Sequence, residues 1–307
     1  MEVAELDLIK KQERRNQQLA TVKYNLGFIA ALDQSGGSTP GALKRYGISE
    51  SEYTNQDQMF DHIHEMRERI VTDPAFTDER VLGTILFRQT ADRQFDGEDP
   101  VKYLWDKGIV SFLKIDNGLE EETNGVQLMK SIPDLNQTLA WAEDRGFFGT
   151  KERSVIKANN PDGIAAVLDQ QFELARQVLV AGLVPILEPE VDINAPDKAD
   201  IEIALKQGLL ERLEKIDPAT PVMLKLTPPN KDNLYRELTE HPSVLRVAAL
   251  SGGYSHEESV RQLALNMGLI ASFSRALTEG LNVNQTNDEF HKALDESIES
   301  IYQASIT

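Results

Sequence analysis

The 307-residue sequence contains no cysteine. Disulfide bonds, thiolate metal ligands and cysteine nucleophiles are therefore excluded, and a reducing, cytoplasmic location is the expectation that agrees with this absence. Histidine is scarce, and none of its five residues lies at the end of a predicted strand: His62, His64, His241, His256 and His291. A histidine-rich zinc site is therefore not expected, and the sequence predicts neither a metal nor another cofactor.

Long apolar segments are also missing. No run approaches the roughly 20 apolar residues that a membrane-spanning helix needs. The first twenty residues, MEVAELDLIKKQERRNQQLA, are charged throughout and resemble neither a secretory signal nor a transit peptide. No linker rich in proline, glycine or serine divides the chain, so residues 1–307 are predicted to form one domain.

Basic residues are fewer than acidic ones: the sequence has 32 lysines and arginines and 50 aspartates and glutamates, and its formal net charge is −18. Such an acidic chain is not expected to bind nucleic acid or an anionic membrane. A local basic pocket for a small anion remains compatible with this charge.

Eight short apolar runs alternate with longer amphipathic segments, and this pattern predicts an α/β fold. The runs are residues 27–33, 81–87, 108–116, 147–156, 182–190, 221–226, 244–253 and 268–277. Residues 163–181 and 201–216 have the apolar spacing of helices. Eight β-then-α units close a single (β/α)8 TIM barrel of about 250 residues. The barrel is expected at about 24–286, with additional helices near 5–20 and 287–303.

Two charged runs are interpreted as solvated helix surface: KKQERR at 10–15 and HEMRER at 64–69. His62 and His64 are likewise interpreted as solvated helix residues.

Unusual polar residues cluster where these runs end. They are Asp33, Lys114, Lys151, Arg153, Glu188, Glu190, Lys225, Ser251, Gly252, Gly253, Ser272, Ser274 and Arg275. In a barrel, all of them would surround the C-terminal mouth, which is where barrel enzymes carry their active sites. Each residue taken alone could be a satisfied core or loop residue, but the shared location favours a site.

The stretch PVMLKLTPP at 221–229 carries Lys225 inside an apolar strand, where a lysine must be paired or lose its proton. A lysine near other cations and apolar walls loses its proton more easily, and a neutral amine attacks carbonyl carbons to form a Schiff base. Glu188 is the first candidate for moving the required protons, and a structural ion pair with Lys151 or Lys225 is an alternative that is compatible with this role.

Glycine and serine segments predict phosphate binding at two places. LSGGYS at 250–255 and FSRAL at 273–277 follow the last two runs, where barrels often bind phosphate. DQSGGSTP at 33–40 lies across the mouth by barrel order. Two such regions indicate a substrate that is phosphorylated at both ends.

Taken together, the motifs resemble class I fructose-1,6-bisphosphate aldolase, the Schiff-base type, and its shorter bacterial branch in particular. They are GFIAALDQSGGSTP, FLKIDNGL, TNGVQLM, GLVPILEPEV, VMLKLT, LSGGYS and ASFSRAL, spread over about residues 24–303. The resemblance implies metal-independent, reversible cleavage of fructose 1,6-bisphosphate in glycolysis and gluconeogenesis, and possible homo-oligomers.

The resemblance also implies roles for single residues. Lys225 matches the Schiff-base lysine and Glu188 the general acid and base, while Glu190 supports the charge network. Lys151 matches a lysine that assists carbinolamine chemistry, and Asp33 the carboxylate that handles the C4 hydroxyl proton. Lys114 helps to place the substrate. The implied C1 phosphate pocket consists of Ser251, Gly252, Gly253, Ser272, Ser274 and Arg275, and the C6 phosphate contacts are Ser35, Ser38 and Arg153.

The sequence departs from the longer members of that family at three places. Gln34 replaces an acid, the turn before Arg275 reads Ser-Phe-Ser instead of a Tyr-Gly form, and the chain ends in SIYQASIT without a terminal tyrosine.

Four other functions remain as alternatives. They are a transaldolase, a deoxysugar-phosphate aldolase, a zinc-dependent aldolase and a catalytically silent barrel that serves as a scaffold.

Overall fold

The computed structural model describes residues 2–307, with side chains for residues 5, 6 and 8–307. The described residues form one nine-stranded sheet. Its strands are β1 (Phe28–Leu32), β2 (Val81–Leu86), β3 (Val110–Lys114), β4 (Val126–Gln127), β5 (Gly149–Ile156), β6 (Val184–Val191), β7 (Val222–Leu226), β8 (Val244–Ala249) and β9 (Leu269–Ala271). Each predicted run coincides with one of the eight parallel strands, although β6 extends one residue beyond its run, and β4 was not expected.

The sheet follows chain order around a nearly closed barrel. Its path runs β1-β2-β3-β5-β6-β7-β8-β9, with parallel pairing at every step, and the short β4 pairs antiparallel with β5 outside that path. The Ala31 N–H of β1 donates to the Phe273 carbonyl just after β9 at 3.0 Å, which links the first strand to the last. The predicted (β/α)8 architecture is confirmed.

Helices cover the outside of the barrel. They are α1 (Glu2–Tyr24), α2 (Thr39–Tyr46), α3 (Gln56–Thr72), α4 (Arg88–Ala91), α5 (Pro100–Asp106), α6 (Leu135–Asp144), α7 (Pro161–Val180), α8 (Lys198–Leu213), α9 (Arg236–Thr239), α10 (His256–Ala264), α11 (Arg275–Thr278) and α12 (Asn287–Ser305), with a 3₁₀ turn at Glu50–Glu52. The predicted terminal helices and the two predicted amphipathic helices are confirmed as α1, α12, α7 and α8.

Strand alternation divides the core into two layers. The barrel interior is filled by side chains such as Ile29, Phe112, Ile186 and Met223, and Val22 of α1 joins them from below. The residues of opposite parity pack outward against the helices in a larger apolar layer. Because successive strand side chains alternate between the faces, the interior row continues directly into the mouth of the barrel.

The interpretation of both charged runs as solvated surface is wrong in part. Arg67 of α3 is only 1% exposed, and Arg15 of α1 donates to the Phe148 carbonyl under the barrel. His64 is half-buried, stacks on Phe95 and bonds the Gln94 carbonyl at 2.8 Å. Each helix has a face turned to the sheet, and long cationic side chains on that face reach backbone carbonyls that need donors.

Within residues 2–307, no helix combines the length and the apolar character that crossing a bilayer would require.

Candidate active site

The polar cluster follows from strand periodicity. In five strands, the last interior apolar residue or glycine is followed two positions later by a polar side chain that also points inward. The pairs are Ala31 with Asp33, Phe112 with Lys114, Gly149 with Lys151, Ile186 with Glu188, and Met223 with Lys225. The strands are parallel, Lys114 lies opposite Lys151, and the pairing of Ile186 with Met223 places Glu188 level with Lys225. Together with Asp33, these side chains line one cavity at the C-terminal mouth.

Glu188 bridges two lysines at the centre of the mouth. Its Oε1 lies 3.1 Å from Lys225 Nζ, and its Oε2 lies 2.9 Å from Lys151 Nζ. All three side chains are buried. Burial by itself would raise the pKa of Glu188, but the Lys151 and Lys225 cations outweigh it and hold that pKa below its usual range. The carboxylate is therefore ionised at neutral pH and can accept a proton from either amine.

Lys151 is shared with a second carboxylate. Its Nζ lies 2.8 Å from Asp33 Oδ2 and 3.9 Å from Asp116 Oδ2. Burial opposes the charged form of Lys151, but Asp33 and Glu188 raise its pKa above the usual range. Burial would likewise raise the pKa of Asp33, and Lys151 and Lys225 lower it instead. The two opposite charges thus keep each other ionised.

Lys114 completes this group of cations. Its Nζ contacts Asp116 Oδ1 and donates to the Asp116 carbonyl at 2.9 Å. Burial, and then the neighbouring Lys151 cation, lower the pKa of Lys114. Although its side chain is only 9% exposed, Lys114 lines the cavity and offers a cation that Asp116 holds in place.

The long strands β5 and β6 extend the site outward. Arg153 Nε donates to Glu190 Oε2, and although burial opposes it, Glu190 raises the pKa of Arg153 above its usual range. At the end of β7, the Thr227 hydroxyl donates to the Val191 carbonyl at 2.7 Å and accepts from its N–H at 2.9 Å. This double contact ties β6 to β7, the strands that carry Glu188 and Lys225.

The first phosphate-capable region lies after β8 and β9. Gly252 and Gly253 have positive φ values of 56° and 110°, so the turn after Ser251 needs conformations that glycine adopts without strain. Ser272 is buried, and within residues 2–307 its hydroxyl has no hydrogen-bond partner. Arg275 extends over the same turn, with Nη1 3.4 Å from the Gly253 carbonyl. Unpaired donors and a cation are what a phosphate dianion requires.

The second region is the loop after β1. The Ser35 carbonyl accepts from the N–H groups of Ser38 and Thr39 at 2.9 and 3.0 Å, which shapes the start of α2. Arg45, near the end of α2, also faces the cavity. Burial and then the Arg275 cation lower the pKa of Arg45, and both guanidinium groups line the same cavity.

One open cavity of about 760 Å³ contains all fifteen predicted site residues in its wall. Sequence reasoning missed Arg45 and Asp116, which line the same cavity. Asp116 could have been found, since it lies two residues after Lys114 in the quoted motif FLKIDNGL and so shares its inward parity. Arg45 gave no such signal, because it lies on a helix whose orientation depends on the fold.

The five histidines lie away from this cavity. His256 bonds the Ala276 carbonyl and His291 bonds Asp73, each at 2.8 Å. Across the part of the chain that the structure describes, no group of three or more histidine or carboxylate side chains is arranged to hold a metal ion.

Comparisons with known proteins agree with the resemblance in the motifs. The family model described as fructose-bisphosphate aldolase class-I matches residues 19–215. A fructose-bisphosphate aldolase class 1 from Synechocystis sp. is 57% identical over 296 residues, which cover 96% of this chain and 99% of that protein.

A solved structure shares the fold. It is a fructose-bisphosphate aldolase from Plasmodium falciparum in complex with TRAP and a small-molecule inhibitor, with a TM-score of 0.73. The two chains are 20% identical, and 95% of each is covered.

Proposed function

Because the chain belongs to the class I fructose-bisphosphate aldolase family, we propose that Lys225 is the amine that forms the Schiff base and that Glu188 is its acid and base. Members of this class are metal-independent lyases that cleave fructose 1,6-bisphosphate reversibly into dihydroxyacetone phosphate and glyceraldehyde 3-phosphate. Family membership decides against the transaldolase, the deoxysugar-phosphate aldolase, the zinc enzyme and the silent scaffold.

The observation that carries the assignment is the bridging position of Glu188. Its two oxygens lie 3.1 Å from Lys225 Nζ and 2.9 Å from Lys151 Nζ. Glu188 takes a proton from Lys225, and the neutral amine attacks the C2 carbonyl to form a carbinolamine. Glu188 then returns a proton to the leaving hydroxyl, which departs as water and leaves an iminium. The Lys151 cation stabilises the charge that moves between these groups.

Asp33 then begins carbon–carbon cleavage. Its carboxylate accepts the C4 hydroxyl proton, the C3–C4 bond breaks to release glyceraldehyde 3-phosphate, and the electron pair moves into the iminium to give an enamine. Protonation of the enamine and addition of water release dihydroxyacetone phosphate and restore Lys225. Lys151, 2.8 Å from Asp33, holds this carboxylate ionised and in place.

The phosphates occupy the two ends of the cavity in this proposal. The C1 phosphate contacts Ser251, Gly252, Gly253, Ser272, Ser274 and Arg275, and the C6 phosphate contacts Ser35, Ser38 and Arg153. Glu190 orients Arg153 through their ion pair, Lys114 places the sugar hydroxyls, and we add Arg45 as a cation that faces the C1 pocket together with Arg275.

Replacing Glu188 by glutamine tests this proposal. Glu188→Gln keeps the size and the hydrogen-bonding capacity of the side chain but cannot accept the proton, so kcat for fructose 1,6-bisphosphate should fall by about 10²–10⁴-fold. Steady-state kinetics in EDTA give the value. The exposed Glu296→Gln is the matched control and should retain the original kcat. A kcat within threefold of the original for Glu188→Gln would sink the assignment.

We propose further that residues 1–307 are one domain, with Met1 outside the described residues, that copies of the chain form a homo-oligomer, and that the enzyme is cytoplasmic. A single sheet path supports the one domain, and exposed apolar side chains such as Val180 and Tyr24 (90% and 71% exposed) support association. The lack of cysteine supports the location. A monomer mass from light scattering would contradict the homo-oligomer. Recovery of the protein outside the cytoplasmic fraction of its cells would contradict the cytoplasmic location.

A further inference from the structure

A buried hydrogen-bond network joins the two glycine–serine regions of the mouth. Arg67 of α3 is 1% exposed and donates from Nη2 to both the carbonyl and the side-chain Oε1 of Gln34, at 2.5 and 3.1 Å. Gln34 itself is 8% exposed, follows Asp33, and lies 2.7 Å from Ser274 Oγ through its Nε2. Ser274 precedes Arg275, so the loop after β1 and the turn after β9 are neighbours in the closed barrel, and the expectation that residues 33–40 lie across the mouth from them is wrong.

Arg67 fixes the orientation of the Gln34 amide. A guanidinium group donates hydrogen bonds and accepts none, so the amide oxygen must face it. The amide nitrogen is thereby turned towards Ser274 and has to be the donor in that contact. The contact with Arg67 therefore determines that Gln34 donates and Ser274 accepts in the hydrogen bond between them.

The Ser274 hydroxyl is left with a free proton. Its oxygen accepts from Gln34, and among residues 2–307 it donates to no other protein group. Ser274 lines the cavity next to Arg275 and near the unpaired Ser272 hydroxyl. This proton is therefore available to a group bound in the cavity, and an anion beside Arg275 can accept it.

We propose that Gln34 is a positioning residue that directs the Ser274 hydroxyl proton at a bound phosphate, and that Arg67 sets the orientation of Gln34. This inference rests on the proposed function, because it assigns a device to the phosphate pocket described there. Gln34 and Ser274, two positions at which the sequence departs from longer relatives, thus act as one pair.

A carboxylate at position 34 would reverse the hydrogen bond. Glutamate could still accept from Arg67, but it could only accept from Ser274 as well. The Ser274 proton would then be held by the carboxylate and lost to the phosphate. The neutral amide therefore determines how many donors this pocket offers.

A double-mutant cycle between Gln34→Glu and Ser274→Ala tests the proposal. The readouts are KM and kcat for fructose 1,6-bisphosphate, together with the dissociation constant of inorganic phosphate from ³¹P NMR titration. Ser274→Ala should raise KM and the phosphate dissociation constant by roughly tenfold, the size expected for one hydrogen bond to a charged group, with little change in kcat. Gln34→Glu should raise KM and the phosphate dissociation constant at least as much.

The combination of the two changes is decisive. If Gln34 acts through the Ser274 proton, Gln34→Glu adds less than about a threefold effect in the Ser274→Ala background. An equal effect in both backgrounds would overturn the proposal, since the new charge would then act without the hydroxyl. Arg67→Lys, examined in the same cycle, should show the same dependence on Ser274, and an effect independent of Ser274 would remove Arg67 from the pair.

A control variant and the phosphate titration distinguish failure of this proposal from a general effect of added charge and from failure of the Schiff-base assignment. Gln137→Glu adds the same charge at an exposed position of α6, and both constants should stay unchanged. Phosphate binding is measured without turnover, so its pattern across the variants holds even if Lys225 proves not to be the Schiff-base lysine. That assignment fails separately, through the absence of a trapped adduct on Lys225.

Discussion

At the scale of single residues, the site is held together by charges that cannot be separated from one another. Lys151 contacts Asp33 at 2.8 Å and Glu188 at 2.9 Å, and all three side chains are buried. Removing one partner of such a group leaves a buried charge without compensation, which costs more than the pair contributes. The same groups carry the proposed proton transfers, so stability and chemistry depend on the same contacts.

Lys151→Met should therefore destabilise the protein in a way that depends on pH. At neutral pH we expect a loss of about 3–5 kcal/mol in the free energy of unfolding, because two buried carboxylates lose the cation that they share. In the original protein the pKa values of Asp33 and Glu188 are lowered, so their contribution to stability is present above the unfolded-state pKa and declines as pH falls through the folded-state pKa. Without Lys151, the effect of burial is opposed mainly by Lys225, so both pKa values rise relative to the original protein, and the variant loses less stability at low pH, where the carboxylates can be protonated.

Urea unfolding at pH 8 and pH 5 measures this difference. The cost of Lys151→Met should be clearly smaller at pH 5 than at pH 8. Lys11→Met is the matched control: its exposed amine pairs with Glu143 and Asp144 at 3.4 and 3.6 Å, and its removal should cost less than about 1 kcal/mol at either pH. A cost of Lys151→Met that does not vary with pH would contradict the coupling.

At the scale of elements, period-two alternation explains why the sequence predicted most of the site. Lys114 and Lys225 continue apolar inward rows and Lys151 follows the inward Gly149, so strand parity alone directs all three into the mouth. Sequence patterns do not predict contacts that depend on how helices pack against the sheet. Arg67 was assigned to the helix surface for this reason. The contact between Gln34 and Ser274 spans 240 residues and needed the closed barrel to appear. The short β9 (Leu269–Ala271) ends before the predicted run does, because the polar turn and α11 follow.

Helix α12 holds the end of the barrel that carries Ser272 and Arg275. The Thr286 hydroxyl and N–H both contact Glu289 Oε2 at 2.9 Å, and the Glu289 N–H donates back to Thr286 Oγ1 at 3.3 Å. This is a capping box, which satisfies donors that the first helical turn leaves unpaired. At the other end of α12, Ser305 Oγ accepts from the Ala271 N–H of β9 at 3.0 Å.

Thr286→Ala should lower the free energy of unfolding by about 1 kcal/mol, since it removes the capping side chain of α12. The helix remains packed against β9 in the folded protein, so kcat should not change. Chemical denaturation gives the stability, and Thr220→Ala, at an exposed loop position with one weak 3.5 Å contact, is the control. If both variants unfold alike, the cap contributes nothing.

At the scale of the whole molecule, the two ends of the barrel have different tasks. The C-terminal mouth carries the charged site, and α1 closes the opposite end. Arg246 of β8 donates to the carbonyls of Val22 and Asn25, each at 2.7 Å, and Val22 packs into the barrel interior. The lower end of such a barrel contributes to stability and the upper end to catalysis.

Arg246→Met should accordingly destabilise the protein without impairing the enzyme. Loss of two charge-assisted hydrogen bonds to carbonyls at the edge of the core should cost about 1.5–3 kcal/mol. KM and kcat for fructose 1,6-bisphosphate should stay within about twofold of the original values, because α1 and the site lie at opposite ends. Thermal unfolding measures the change in stability, and activity assays of the folded variant at 25 °C measure KM and kcat separately. A large fall in kcat with unchanged stability would refute this division.

Borohydride trapping shows whether Lys225 forms the covalent intermediate. The protein is incubated with dihydroxyacetone phosphate in EDTA, reduced with borohydride, digested and mapped by mass spectrometry. Reduction converts an iminium into a stable secondary amine. We expect a single adduct on the peptide that carries Lys225, and none in Lys225→Ala. An adduct on Lys114 or Lys151, or no adduct at all while the unaltered enzyme still cleaves its substrate, would contradict the account.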